Sequence, residues 1–489
     1  MIEIYYADVS VGAAENAAFS GTDRQEYSSI DRLAYGLYGK KIATGEVGRW
    51  VLDGSVDILG ATKQDFGFVS IEQSGADGTY EGEVGIDILF NGLFSSTGLT
   101  ITFDNTEDVE YTAVVRWYKD ATVLHEEIVV GADETAIETS VELYNKITVR
   151  FVSASKPYRF ARICEVMFGV GRRFTPSDFE KVSLQQYVNP ISEEVSVDTS
   201  KFVLRPPRDL NLIFQTRQPF SILADGKLLS AHYLDDAIVS QGNRYDITCQ
   251  SAIGVLEEQP FSAVMWFDKN AYDAAVEIVG DDFSVDMEIA LQTKTVTGYI
   301  SDCSRREALH QLLFAIGAVC STAGTDKIRI FKVADTIKDI GKNKIYTGIK
   351  TTRGSVVTSV EVEYYSYSNT KTSGATEIEV NGTVYYAKKG VLIRKNEAVV
   401  KNAKSNPKRI SGATLLSQAQ AEELMDTLYA YYTNNSVLTQ KIIVDDEKPG
   451  DTVRTFDYDG ASFVGAITAM ETTVSHKLAS QISVRGNNG

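Results

Sequence analysis

Between Trp50 and Phe168, apolar residues recur at every second position in short runs, and Gly, Asn or Asp separates one run from the next. Val84, Ile86, Ile88 and Phe90 alternate with other residues, as do Leu99, Ile101 and Phe103, and residues 114–118 and 146–151 follow the same pattern. In an extended chain successive side chains point to opposite faces, so a period of two buries one face and leaves the other in water. Antiparallel strands in a β-sandwich meet that demand, and no helix longer than a turn or two is expected here.

The strand pattern continues from 182 to 256. Val182 with Leu184, Val195 with Val197, and the runs 210–214, 220–224, 228–234 and 245–249 all read as strands. Asp225-Gly226 lies between two of them, and both residues tolerate the positive φ that a two-residue hairpin needs. A small barrel or sandwich would close the edges of such a set.

The first long helix starts near Ser304, where Ser304 and Glu307 have capping-box spacing and Leu309, Leu312, Leu313 and Ile316 share one face up to Gly317. Residues 327–333 (KIRIFKV) then alternate as a strand, so the segment reads as a small α/β unit. Its Lys327, Arg329 and Lys332 either protect a strand edge or lie on a solvated face. Strands return at 356–364 and 383–387. A second helix follows over 417–433, with Ala421, Leu424, Leu428 and Tyr432 as its apolar stripe. Residues 438–444, 452–456, 463–469 and 481–484 are the closing strands, with Pro449-Gly450 turning between the first two.

At about 100–200 residues per domain, a chain of 489 residues holds about three to five domains. Acidic residues outnumber basic ones 66 to 48, and no basic block interrupts the excess. Specific nucleic-acid binding, which needs clustered Lys and Arg to displace counterions, is therefore not expected. Cys164, Cys249, Cys303 and Cys320 form no paired motif, so they read as free thiols in a protein folded in a reducing cytoplasm, with no metal and no cofactor. The start, MIEIYYADVS, lacks the basic and apolar regions of a signal peptide, and no window approaches the ~18 apolar residues of a transmembrane segment.

Catalytic constellations are absent from the sequence. Asp235-Asp236 and Asp281-Asp282 are adjacent pairs that read as solvated turns, whereas glycoside cleavage needs two carboxylates across a pocket. His125, His232, His310 and His476 lie in no nucleophile-elbow context, and Gly169-Val170-Gly171 lacks the rest of a dinucleotide fingerprint. No catalytic residue is assigned, and the chain is not expected to be an enzyme.

Four stretches, taken in order, resemble the hub proteins of phage tails and contractile baseplates, including prophage tail proteins of Gram-positive type. RQPFSILADGKLLSAHYLDD (217–236) is similar to the hub hairpin that leads into an acidic turn, and YDITCQSAIGVLEE (245–258) to the strand and helical turn closing a first barrel. SDCSRREALHQLLFAIGAV (301–319) with KIRIFKV resembles the small domain between barrels, and EKPGDTVRTFDYDGASFVGAITAMETTVSHKLASQISVRG (447–486) the last hairpins. The resemblance spans roughly 170–489. The leading part, notably VGRWVLDGSVDIL (47–59) and GLTITFDNTEDVEYTAVVRWY (98–118), resembles galactose-binding or discoidin-like jelly rolls.

The resemblance implies a mainly β protein with small α+β inserts, in which a β-sandwich precedes two β-barrel hub domains. The expected divisions are 1–168 for a galactose-binding-like β-sandwich, 169–265 for the first hub barrel and 266–340 for a small α/β domain. A second hub barrel is expected from 341–365 with 437–489, and a helix-bearing insert over 366–436. It also implies a virion structural protein of the tail tip or baseplate, made in the bacterial host cytoplasm. As a homotrimer with two like modules per chain, it would adapt a sixfold tail tube to a threefold tip. Partners would be the tube and other baseplate or tail-tip proteins.

Two alternatives stay open. The first is a peripheral carbohydrate-binding protein recognising a host cell-surface glycan, with Trp50, Tyr80 and Trp117 as candidate aromatics, although Trp50 and Trp117 equally suit the sandwich core. The second is a cell-wall glycan hydrolase.

Overall fold

The computed structural model describes residues 2–10, 12–35, 42–51, 53, 57–58, 67–104, 109–207, 210, 212, 219–240, 243–333, 336–399, 404–474 and 478–488. His476, most of the strand expected at 210–214, Arg217 and Gln218, residues 105–108, and residues 52, 54–56 and 59 lie outside them. The chain is mainly β and divides into two compact units, Tyr5–Arg173 with Leu210–Gln218, and Met1–Ile4, Phe174–Asp209 and Pro219–Gly489.

In the first unit five strands form an antiparallel sheet in the order Ala17–Gly21, Thr79–Ser96, Val141–Ala154, Tyr111–Lys119, Thr122–Gly131. Shorter ladders join Glu134–Ile137, Leu99–Thr102 and Glu165–Met167, and pair Phe160–Ile163 with Phe68–Gln73. The alternating residues explain the layering: Ile86, Ile88, Trp117, Ile147 and Val149 of the large sheet share one core with Ile101, Ile137, Ile163 and Val166.

Ten of the thirteen strands of the main sheet make up a repeated pattern in the second unit: β1 (Phe179–Tyr187), β2 (Thr199–Leu204), β3 (Pro219–Ala224), β4 (Lys227–Ser240), β5 (Arg244–Gln250), β6 (Lys350–Arg353), β7 (Ser436–Ile443), β8 (Thr452–Phe456), β9 (Ser462–Val474) and β10 (Leu478–Asn488). The first five pair antiparallel in the order β3-β4-β5-β2-β1, and the second five in the order β8-β9-β10-β7-β6. These are one strand order, third-fourth-fifth-second-first, used twice; the two sets are called modules A and B below.

The repetition reaches single residues. In module A the fourth strand shifts register against the fifth between Leu234 and Asp236, and in module B the same strand pair shifts between Ile467 and Ala469. Each third-to-fourth hairpin turns through Asp-Gly: Asp225-Gly226 at φ 48° and 75°, and Asp459-Gly460, whose glycine is at φ 80°. Positive φ is nearly free for glycine and strained for most other residues, which is why this dipeptide recurs at such turns.

Two inserts hang on these strands. Between β5 and β6 lies an α/β unit with helices α1 (Ala271–Val279) and α2 (Arg305–Ile316) and its own core, including Ala274, Ile278, Leu309, Leu312 and Ile316. Between β6 and β7, helix α3 (Gln418–Thr433) packs Ala421, Met425 and Leu428 on a sheet ordered Thr376–Val380, Thr383–Lys395, Ser359–Ser368, Pro407–Ile410.

Several expectations are corrected. Where two barrels are expected, the ten strands pair, among the described residues, within one continuous sheet, and the fold includes a half-barrel; β1 pairs with β9 as well as with β2. Val195 and Val197 lie in an irregular connection, and the strand starts at Thr199. The strand from KIRIFKV, Ile328–Phe331, is the centre of a three-stranded sheet between Val285–Met287 and Val319–Ser321, so Lys327, Arg329 and Lys332 guard no edge. Helix α1, capped by Asn270 accepting from the N–H groups of Tyr272 and Asp273, was not anticipated. At α2, Ser304 accepts from the Glu307 N–H, while Glu307 turns toward His310 and Gln311, so only half of the expected capping box forms; the complete box is Ser417 with Gln420 on α3.

Candidate assembly surface

The sheet of the second unit is two-faced across both modules. One unbroken row of paired residues crosses seven strands as Leu234, Cys249, Ser200, Leu184, Thr472, Ser480 and Ile442, and all seven are buried. The adjacent row, Gln250, Thr199, Gln185, Glu471, Gln481 and Lys441, is polar and half-buried or exposed. Since side chains alternate between faces, adjacent rows must face oppositely, and the β1–β9 ladder carries each row from one module into the next without a break. On the polar face a cleft of about 360 Å³ is lined by Lys181, Ser183, Lys201, Asp246, Thr248 and Glu471 among others. On the inner face a cavity of about 450 Å³ opens where the modules join, bounded by Leu184, Gln186, Leu228, Met470, Thr472 and Asp445 among others.

Several polar groups are buried in the second unit, and their partners differ. Asp198, fully buried, accepts from the Tyr187 N–H at 2.8 Å and the Thr322 hydroxyl at 3.1 Å, and so ties the end of β1 to the α/β insert. Burial pushes its carboxyl up to about 7, because the ionised form loses more hydration than two donors restore. His232 lies 2.8 Å from the Ser200 hydroxyl through Nδ1, and burial drives its imidazole down to about 3. Such a ring is neutral at physiological pH and enclosed. It is a packed core polar group and not a catalytic base.

The residues singled out in the sequence do not converge. Trp117 is fully buried, in the first unit's core. Tyr80 is buried as well, and its hydroxyl donates to the Arg159 carbonyl at 3.0 Å. Trp50 lies in a loop rather than a core strand: its indole N–H donates to Thr44 at 3.0 Å, and the Arg49 guanidinium sits 4.6 Å from the ring centre. Asp235 and Asp236 are exposed at the bulge within β4, not in a turn, whereas Asp281 and Asp282 do occupy an exposed turn. His125 is half-buried beside Glu127, and His310 faces Glu307 at 3.3 Å on α2. Gly169-Val170-Gly171 is part of the strand Gly169–Phe174. Cys249 and Cys320 are buried and Cys164 and Cys303 half-buried, all as free thiols; burial holds the Cys320 thiol up at about 12.

A buried charge network in the first unit left one local mark in the sequence. Glu46 binds Arg49 at 2.9 Å and Arg162 at 2.6 Å, Asp104 pairs with Arg49 and lies 3.5 Å from Arg162, and the Phe160 N–H donates to Glu46 at 3.0 Å. Each carboxylate meets two guanidinium groups, which hold both in ion pairs. Only the Glu46–Arg49 spacing is visible locally; Asp104 and Arg162 are brought in by the fold. Among the described residues no group of three or more His, Cys, Asp or Glu is arranged to hold a metal, and no helix is long and apolar enough to cross a membrane.

No family model matches the sequence, and no curated protein matches it significantly. Among solved structures the chain is similar to a tail protein from Neisseria meningitidis MC58, with 10% identity and a TM-score of 0.47 over 65% of this chain and 93% of that one. It is similar to the 43 kDa tail protein of prophage MuSo2 from Shewanella oneidensis, with 11% identity and a TM-score of 0.43 over 64% and 95% of the two chains. The prophage tail protein gp18 from Listeria monocytogenes gives 12% identity and a TM-score of 0.42 over 64% and 91%.

Proposed function

We propose that this chain is a structural component of a phage or phage-tail-like particle, a hub at the tail tip or baseplate that fits a sixfold tube to a threefold tip as a homotrimer. The observation that carries the reading is the duplicated strand order with its matching bulges. A sixfold partner offers six equivalent contact sites, and three chains can meet all six only if each presents two like-shaped modules. The unbroken polar and buried rows support the same reading, because a ring built from such modules needs one face for neighbours or solvent and one for its core. Its partners would be the tube and other tail-tip proteins, and its place the virion.

The working parts on this reading are sheet edges and faces, not reacting side chains. The carbohydrate-binding alternative is not taken up, since Trp117 and Tyr80 are buried and the Trp50 ring is covered by Arg49. Neither is the hydrolase, since the paired carboxylates of the first unit are locked by arginines. Size-exclusion chromatography with light scattering tests the proposal. A mass three times that of the chain is expected, and a monomer at every concentration would overturn it.

A further inference from the structure

The cavity where modules A and B join has a lining suited to one kind of guest. Its volume, about 450 Å³, falls within the roughly 300–1,000 Å³ that small ligands occupy. Leu184 and Leu228 from module A and Val444 and Met470 from module B give it an apolar wall. The Thr472 and Ser480 hydroxyls also line it, but they bond to each other at 2.6 Å.

One polar group of the lining is left over. Gln186 is 5% exposed, and its carboxamide NH2 donates to the Leu229 carbonyl at 3.5 Å, while among the described residues no donor reaches its Oε1. An acceptor held away from bulk water without a donor is costly, so a guest that brings an N–H is favoured there. The charges sort in the same way. Asp445 and Glu447 pair with Lys344, and Asp446 pairs with Lys338, two lysines that do not line the cavity. Lys227 and Lys448 do line it, and neither has an ion-pair partner among the described residues. Lys448 has a defined seat: its ammonium lies where a side chain on Gly324 would stand, and the Gly324 N–H donates to the Leu229 carbonyl at 2.7 Å.

We propose that this cavity binds the C-terminal residue of a partner polypeptide, and that this residue is aliphatic. Its side chain would pack on the wall of Leu184, Leu228, Val444 and Met470, and its main-chain N–H would donate to Gln186 Oε1. Its carboxylate would meet the Lys227 and Lys448 ammonium groups. A bare fatty acid has no N–H and would leave the Gln186 acceptor without a donor. Hydrogen bonds between ionised partners are about twice as strong as neutral ones, so the terminal charge should dominate the affinity. The site lies within one chain and needs no ring, so it stands or falls apart from the hub reading.

Isothermal titration calorimetry on the full chain tests it with three probes at millimolar concentration. They are acetyl-alanyl-alanyl-leucine with a free carboxylate, the same peptide as its C-terminal amide, and octanoate. The free peptide is expected to bind at least about tenfold more tightly than either of the others. Lys227→Gln and Lys448→Gln, both at exposed positions, should each weaken the free peptide by about tenfold and leave the amide unchanged. Gln186→Leu should weaken both peptides and spare octanoate. No binding of any probe, equal binding of peptide and amide, or octanoate as tight as the free peptide would each overturn the assignment. Unchanged affinity in both lysine variants would overturn it as well. None of these results alters the mass read by light scattering, which decides the hub.

Discussion

Modules A and B share a strand order and a bulge but fill their inner faces differently. Module B is lined by Leu438, Ile442, Phe463, Ile467, Ile482 and Val484, with Gln440 and Thr455 bonded to each other. Module A sets Phe202 against Phe220 at 5.7 Å, and places the polar group of His232, Ser200 and Cys249 beside them. Their connections differ as well. The link from first to second strand in A is residues 188–198, whereas in B it is residues 354–435 with a sheet and a helix of its own. Turn chemistry and strand pairing thus set the module, and both its filling and its loops vary around that frame.

The largest expected effect comes from emptying each core in turn. Phe202→Ala and Phe463→Ala each remove a fully buried ring and should cost about 3–5 kcal/mol, read from urea unfolding. Because β1 and β9 join the modules in one sheet, both variants should lower a common transition. Two transitions, with each substitution moving a different one, would mean that the modules fold apart.

Asp198 belongs to module A alone, and it separates the modules by pH. Its folded carboxyl titrates near 7, above the ordinary aspartate range, so the folded state holds its proton more tightly than the unfolded state does. That contribution is complete at pH below the unfolded value near 4 and is lost as pH rises through about 7, with a slope of at most about 1.4 kcal/mol per pH unit. Asp198→Asn should flatten this part of the stability profile, and an unchanged slope would assign it to other groups.

Smaller effects compare the two Asp-Gly turns. Gly226→Ala and Gly460→Ala place a side chain at φ 75° and 80°, which should cost about 1–2 kcal/mol each by thermal unfolding. Equal losses would support equivalent turns. The helix caps give the smallest contrast: Ser417→Ala breaks a complete capping box and should cost about 1 kcal/mol, and Ser304→Ala, at a half-formed box, less.

What could be read from the sequence was local. The alternating runs of the first unit, the Asp225-Gly226 hairpin, the Ser304 cap with its Gly317 stop and the stripe on α3 all arise from residues a few positions apart, and all appear in the structure. Pairings between distant strands left no comparable mark. Nothing in β1 states that it will bond to β9, nearly the whole unit away in sequence, and closure of each set was the simpler expectation. Strand β2 was missed because its core residues Phe202 and Leu204 follow Val195 and Val197, which carry the same alternation but serve the α/β insert. Trp50 itself lies in a loop, beside the ion network of Glu46 with Arg49 and Arg162, whose long-range partners no local pattern announces.

Electron-microscopy class averages of the purified chain test the central claim most directly. Three copies carrying two like modules each should give a closed ring of six similar lobes with threefold symmetry. A three-lobed trimer, or an isolated chain in every class, would contradict it.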